Sequence, residues 1–289
     1  MYTIPEEKKI RVIVDTDAAC EADDPCAIAH ALMSPKLVVK GITAVHFAQE
    51  GSTLKSFQEI ETILKAMKLS VPVFMGQDGP VDSCEEISPA VEFIIEEALR
   101  DDEKPLFLLC QGAITNVAAA LRKCPAIRDR ITVIWIGTHG AGNVKAPARE
   151  FNAGNDVQAA NEVLQSGTNI WLVPADVYST ISVGISELEL KVAPCGEIGK
   201  HLFENLVTYN HSENAGWTQG ESWSLGDSPA IGLAINPGCG KYVETQAPLV
   251  ADDTSSVFQE DNPVIRVYKN ADSRYILEDF FAKLTLNYR

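Results

Sequence analysis

Residues 10–28, IRVIVDTDAACEADDPCAI, constrain this chain more than any other stretch. Ile10, Val12, Ile13 and Val14 make a continuous apolar run of strand length, the pattern of a strand covered on both faces. From Asp24 to Met33 apolar residues recur at helical spacing through Ala27, Ile28, Ala31 and Leu32, which predicts a helix. Four carboxylates, Asp15, Asp17, Asp23 and Asp24, crowd the junction. Acids gathered at one strand end repel one another unless a cation or shared protons compensate them. Carboxylate oxygens suit a hard divalent ion such as Ca²⁺ or Mg²⁺. A plainer reading has Asp23 or Asp24 capping the helix and Asp15 or Asp17 ending the strand. Capping alone does not call for four acids so close together.

The same strand-then-helix pattern recurs along the chain. Strands are expected at 37–45, 71–74, 105–110, 131–136 and 170–173, with helices at 53–67, 91–99, 115–122 and 157–164. Such alternation predicts an α/β fold: an open, largely parallel, Rossmann-like sheet with helices on both faces. Ligands of such sheets collect beyond the carboxyl ends of the strands, which places the active site there. Past residue 173 the pattern loosens. Helix is expected over 187–207 with a break near Pro194, then at 228–235 and 275–284, and short strands near 248–250 and 264–267. No repeat or linker divides the chain, so residues 1–289 are expected to form a single domain.

Charge and cysteine usage narrow the function. A formal net charge of −16 repels a phosphate polymer and argues against a nucleic-acid partner. No apolar run approaches membrane-spanning length and the N-terminus lacks an apolar leader, so no membrane partner is expected. The 7 cysteines are odd in number and never spaced as CxxC, which points to a reducing, cytoplasmic setting rather than to a disulfide framework or a zinc knuckle. Cys26 and His30 stand at i, i+4, and we read them as a packed thiol beside a surface histidine.

Four loops fall after expected strands and should share one rim. The first carries the four aspartates. The second is Gln111–Asn116, where Gly112 lets a carbonyl turn toward a ligand and Thr115 or Asn116 can cap the next helix. The third runs from Gly142 to Asn152; Asn143, Glu150 and Asn152 offer two amides and a carboxylate, a mixture suited to vicinal hydroxyls. The fourth is Gly226-Asp227-Ser228-Pro229, in which Asp227 can be an N-cap, a role compatible with metal ligation.

Taken together, these blocks resemble the inosine–uridine nucleoside hydrolase family. The aspartate-rich start is similar to its DxDxxxDD pattern, and the likeness continues through GITAV (41–45), VPVFMGQDGP (71–80), QGAITNVAAAL (111–121), GNVKAPAREFN (142–152) and GDSPA (226–230). The resemblance implies Ca²⁺-dependent hydrolysis of the N-glycosidic bond of ribonucleosides to ribose and free base, in a homodimer or homotetramer. It implies Asp17, Asp24, the Gln111 carbonyl and Asp227 as metal ligands, with Asp17 also activating a metal-bound water. Asp23, Asn143, Glu150 and Asn152 match the sugar contacts, and Asp15 would support the ligands from behind. Trp223, with Trp217, Tyr209, His46, His139 and His211, is a candidate for handling the base by stacking or proton transfer.

The chain departs from the pattern in three places. Five residues, Ala18 to Ala22, separate Asp17 from Asp23 where the familiar spacing has three, which can shift Asp23 and Asp24 or bring Glu21 into the site. Ala48 falls where many members place asparagine, and Gly226 where pyrimidine-preferring members carry a histidine acid. These departures motivate an alternative, a non-catalytic or altered-specificity ribose- or nucleoside-binding protein on the same scaffold. The strand-DTD sequence is also similar to that of dehalogenase-type phosphatases, but Ala19 stands where those place Thr or Val.

Overall fold

The computed structural model describes residues 2–289. Its central sheet is built from β1 (Ile10–Thr16), β2 (Leu37–Ala44), β3 (Val73–Phe74), β4 (Leu106–Cys110), β5 (Ile131–Ile136) and β6 (Asn169–Val173). Two short strands, β7 (Ser182–Gly184) and β8 (Ser222–Ser224), pair with each other as an antiparallel ribbon. Beyond them come β9 (Gly240–Gln246), β10 (Leu249–Val250), β11 (Ser256–Val257) and β12 (Val264–Ala271). The order across the sheet is β3-β2-β1-β4-β5-β6-β12-β9, parallel except for the edge strand β9. The α/β expectation therefore holds, with an antiparallel edge that the sequence pattern had not announced.

The helices are α1 (Asp24–Met33), α2 (Ser52–Met67), α3 (Pro89–Leu99), α4 (Thr115–Lys123), α5 (Phe151–Asn155) and α6 (Val157–Gln165). They continue with α7 (Ala175–Tyr178), α8 (Ile185–Lys191), α9 (Gly196–Asn210), α10 (Ser228–Ile235) and α11 (Ser273–Tyr288). The break expected near Pro194 separates α8 from α9.

Strand alternation divides the core between the two faces. Val12, Val14, Leu109, Ile134 and Ile136 pack on one side with Ile28 of α1, Ile231 of α10 and Phe280 of α11. Ile13, Leu108, Val133 and Trp135 pack on the other with Ile94 of α3, Val117 of α4 and Val163 of α6. Each fully buried aliphatic side chain contributes about 1.5–3 kcal/mol, so these two layers fix which way every strand end points. Because β1 lies between β2 and β4, the chain turns to opposite sides after these two neighbours. That reversal opens a crevice beyond the ends of β1 and β4.

Among the described residues no helix is long and apolar enough to cross a membrane. All 7 cysteines are free. Cys26 and His30 are both buried, and His30 Nε2 meets Asp279 Oδ2 at 2.8 Å, so the histidine is a core residue rather than a surface one.

Candidate active site

The crevice is a cleft partly open to solvent. Asp17, Asp23 and Asp24 line it from the β1–α1 junction, Gln111 from the end of β4, Ile136 from the end of β5, Glu150 and Asn152 from the start of α5, and Asp227 from the start of α10. Cys20, Glu21, Phe151, Tyr178 and Gly226 complete the lining. No lysine, arginine or histidine is among them.

The capping alternative can be judged directly. Asp23 occupies the N-cap position of α1 and Asp227 that of α10, yet neither side chain makes a capping hydrogen bond. Both carboxylates turn into the cleft instead. Carboxylate oxygens of Asp23, Asp24 and Asp227 lie within 4.8 Å of one another. Asp24 also accepts the Thr16 hydroxyl proton. The amino-terminal ends of α1 and α10 face this cluster, where helix dipoles favour negative charge.

Burial is the main cause of the raised pKa values here, and mutual repulsion adds to it. Asp17 is held well above the ordinary carboxylate range by burial and then by Asp24. Burial, then Glu21 and Asp24, raises Asp23; burial, then Asp23 and Asp24, raises Asp227. Burial carries Asp24 to about 6 even though Thr16 opposes the shift. Glu21, brought in by the longer loop, is pushed up to about 7 by burial and by Asp24. Such a set is repulsive when ionised and is stabilised by a cation.

Three observations fit a hard ion. The donors are oxygens, and no basic side chain lines the cleft to neutralise them. Gln111 Oε1, on a side chain only 1% exposed that lines the cleft, is an oxygen without a partner. Gly112 also leaves room for Asp17, since a β-carbon there would stand 2.6 Å from Asp17 Oδ1.

The surrounding hydrogen bonds hold these donors in place. Asp15, fully buried, accepts from Thr43 Oγ1 at 2.6 Å and Asn116 Nδ2 at 2.8 Å; burial brings it to about 6, and its Oδ2 has no partner. Asn152 Nδ2 donates to the carbonyls of Gln111 and Ile136, each at 2.9 Å, tying the ends of β4 and β5 together. Trp135 Nε1 donates to the Gly112 carbonyl at 3.1 Å from below.

Several expectations need correction. Asn143 is exposed and does not line the cleft; its Oδ1 accepts the Phe258 N–H at 2.9 Å because the adjacent Val144 pairs with Ser256. Trp223 lies on the inward face of β8, 2% exposed, packed between Tyr209 and Trp217 with ring centroids 5.5 and 5.1 Å away. It supports the wall and does not face the cleft. Neither Thr115 nor Asn116 caps α4: Thr115 donates to Asp156 Oδ2 at 2.7 Å, and Asn116 to Asp15. His46 is buried against Thr115, His139 contacts the Ala148 carbonyl and His211 the Gly220 carbonyl. Tyr178, Phe151 and Cys20 line the cleft without having been singled out. Tyr178 was hidden because VPADV reads as a strand end, whereas the chain continues into the helical turn of α7.

Comparison with known proteins bears on this arrangement. The inosine-uridine preferring nucleoside hydrolase family matches residues 12–277. The chain is 31% identical over 235 residues to the pyrimidine-specific ribonucleoside hydrolase RihA of Salmonella arizonae, covering 72% of this chain and 74% of that one. It is 28% identical over 278 residues to the pyrimidine-specific ribonucleoside hydrolase RihB of Escherichia coli, covering 86% and 85%. Among solved structures, a purine-preferring ribonucleoside hydrolase from Gardnerella vaginalis superposes with a TM-score of 0.80 at 21% identity, covering 96% of this chain and 98% of that one. The type III effector protein XopQ, complexed with adenosine diphosphate ribose, superposes with a TM-score of 0.72 at 12% identity, covering 99% and 96%. These two likenesses concern the fold alone. The chain belongs to the inosine-uridine preferring nucleoside hydrolase family and is an N-ribosyl hydrolase.

Proposed function

We propose that the chain hydrolyses ribonucleosides to ribose and free base with Ca²⁺ held by Asp17, Asp24, Asp227 and the main-chain carbonyl of Gln111. All four residues line one crevice without a basic neighbour, and Asp24 and Asp227 cluster there with Asp23, while Asp17 lines the same crevice outside that cluster; this arrangement carries the reading. A divalent cation bound there would acidify water, grip vicinal hydroxyls and offset the ligand charge.

Asp17 takes the proton of the attacking water. Its place in the cleft lining, at the end of β1, suits it to that task. The positive charge that builds on the sugar as the base departs is stabilised by the fixed carboxylates of Asp23 and Asp227. Asn152 has both Nδ2 protons committed to carbonyls, which leaves its Oδ1 to accept from a sugar hydroxyl. Glu150 shapes the same end of the cleft, and Asp15 braces β1 from behind. Gly226 offers no proton to the departing base.

The unpaired cysteines support a cytoplasmic setting, and the family resemblance supports a homodimer or homotetramer in which residues 1–289 act as one domain.

The direct test is reducing-sugar release from a panel of purine and pyrimidine ribonucleosides at saturating Ca²⁺. Multiple turnover on at least one member is expected. Thermal stabilisation by nucleosides without any release would leave a binding protein and sink the hydrolytic reading.

A further inference from the structure

Glu150 has no acceptor site to spare. Its Oε2 accepts the N–H groups of Thr138 at 2.9 Å and Ala153 at 2.8 Å. Its Oε1 accepts the Asn152 N–H at 3.3 Å and the Tyr178 hydroxyl at 2.9 Å. A carboxylate offers about four lone-pair sites, and four donors fill them. Three of these donors are main-chain groups fixed by the start of α5 and by the loop after β5; Glu150 is the N-cap of that helix. A sugar hydroxyl approaching this carboxylate would have to displace one of them.

The fourth donor is different, because Tyr178 itself lines the cleft. The β7–β8 ribbon holds its position, with the Tyr178 carbonyl accepting Ser224 Oγ at 3.2 Å. Its ring lies against Gly226, where a β-carbon would come within 3.2 Å of Tyr178 Cδ2 and of Asp23 Oδ2. Burial and the neighbouring Glu150 push the phenol well above its ordinary pKa, so it keeps its proton. That proton goes to Glu150, and the hydroxyl oxygen retains lone pairs for a donor.

Resting on the nucleoside hydrolase reading, we propose that the Tyr178 hydroxyl, rather than the Glu150 carboxylate, meets the substrate here. Tyr178 accepts one sugar hydroxyl, and Glu150 is a positioning residue that acts through it. The site thereby selects a sugar that carries a hydroxyl donor at that carbon.

The test compares wild type and Tyr178→Phe on one good ribonucleoside and on its 2′-, 3′- and 5′-deoxy counterparts at saturating Ca²⁺. On the parent, Tyr178→Phe should lose about 3- to 10-fold in kcat/KM, mostly through KM, as expected for one neutral hydrogen bond. On the single deoxy analogue that lacks the contacted hydroxyl, the two proteins should agree within about 2-fold. Equal losses on all four substrates, or none on any, would overturn the proposal. Should wild type turn over no nucleoside, the hydrolytic reading fails separately, and protection against heat by free ribose decides this one. Ribose should then raise the Tm of wild type more than that of Tyr178→Phe; equal protection, or protection of neither, overturns it.

Discussion

Gly112 and Asp17 approach so closely that the cleft tolerates no side chain at position 112. A β-carbon there would lie 2.6 Å from Asp17 Oδ1 and 2.9 Å from Val45 Cγ1. Asp17 makes the closer of the two contacts, so it is the group that must yield most. Gly112→Ala is therefore expected to displace Asp17 and to lower kcat/KM by about 10- to 100-fold with the fold intact, since misplacement near 1 Å costs on that order. Wild-type kinetics in a folded Gly112→Ala protein would show that Asp17 is not held by this contact.

Asp17→Ala should abolish turnover by orders of magnitude while circular dichroism and Tm remain close to wild type. Removing a buried and repelled carboxylate does not dismantle the core. Near-normal rates would mean that another group takes the proton.

Calcium should stabilise wild type far more than Asp227→Asn. Without the ion, replacing one crowded acid relieves repulsion and should raise Tm above that of wild type. With Ca²⁺ at a hundred times its Kd, wild type should gain about 2.7 kcal/mol and the variant much less. Differential scanning fluorimetry with EDTA and with a Ca²⁺ series reads both arms. An identical calcium response in the two proteins would remove Asp227 from the ligand set.

A pH-dependent element lies outside the cleft lining, between α2 and α9. His201 Nε2 meets Glu59 Oε1 at 2.6 Å, and this bond, together with the charge of Glu59, raises the imidazole above its ordinary 6.5. A raised native value means that the pair stabilises fully below about pH 6.5. The contribution is lost as pH rises through the raised native value. The Tm gap between wild type and His201→Asn should accordingly be widest near pH 6 and narrow toward about pH 9. A gap that grows with pH would contradict the sign.

Ala48 is exposed and sits in the left-handed region with φ 55°, where a β-carbon is unfavourable by about 1–2 kcal/mol and asparagine is tolerated better. Ala48→Asn should thus raise Tm by about 1–3 °C, since 1 kcal/mol is worth roughly that in a chain of this size. An unchanged or lower Tm would count against relief of backbone strain.

Much of this fold could be read from the sequence because its parallel strands are covered on both faces. Val12–Val14, Leu106–Cys110 and Ile131–Ile136 are runs whose apolar character does not depend on context. The edge strand β9 has no such mark. Lys241, Val243 and Glu244 face solvent, and only pairing with β12 makes the segment a strand. The acids at the β1–α1 junction, three of which line the cleft, were legible for a related reason: four carboxylates at one strand end need compensation wherever they fold. Residues whose direction is set by distant partners were not. Asn143 follows Ser256 and Phe258, more than a hundred positions later in the chain. Trp223 follows the register of β8 on β7, and Glu150 follows a helix start that is marked by none of the usual capping side chains.

The acidic cluster joins α1, near the beginning of the chain, to α10, beyond residue 227. An ion seated between them would act as a clasp across two hundred positions of sequence. A truncated or still-emerging chain that ends before α10 lacks half of the clasp. Affinity for the ion would then report on long-range closure of the whole molecule, and calcium uptake during refolding would mark the moment when the late segment docks.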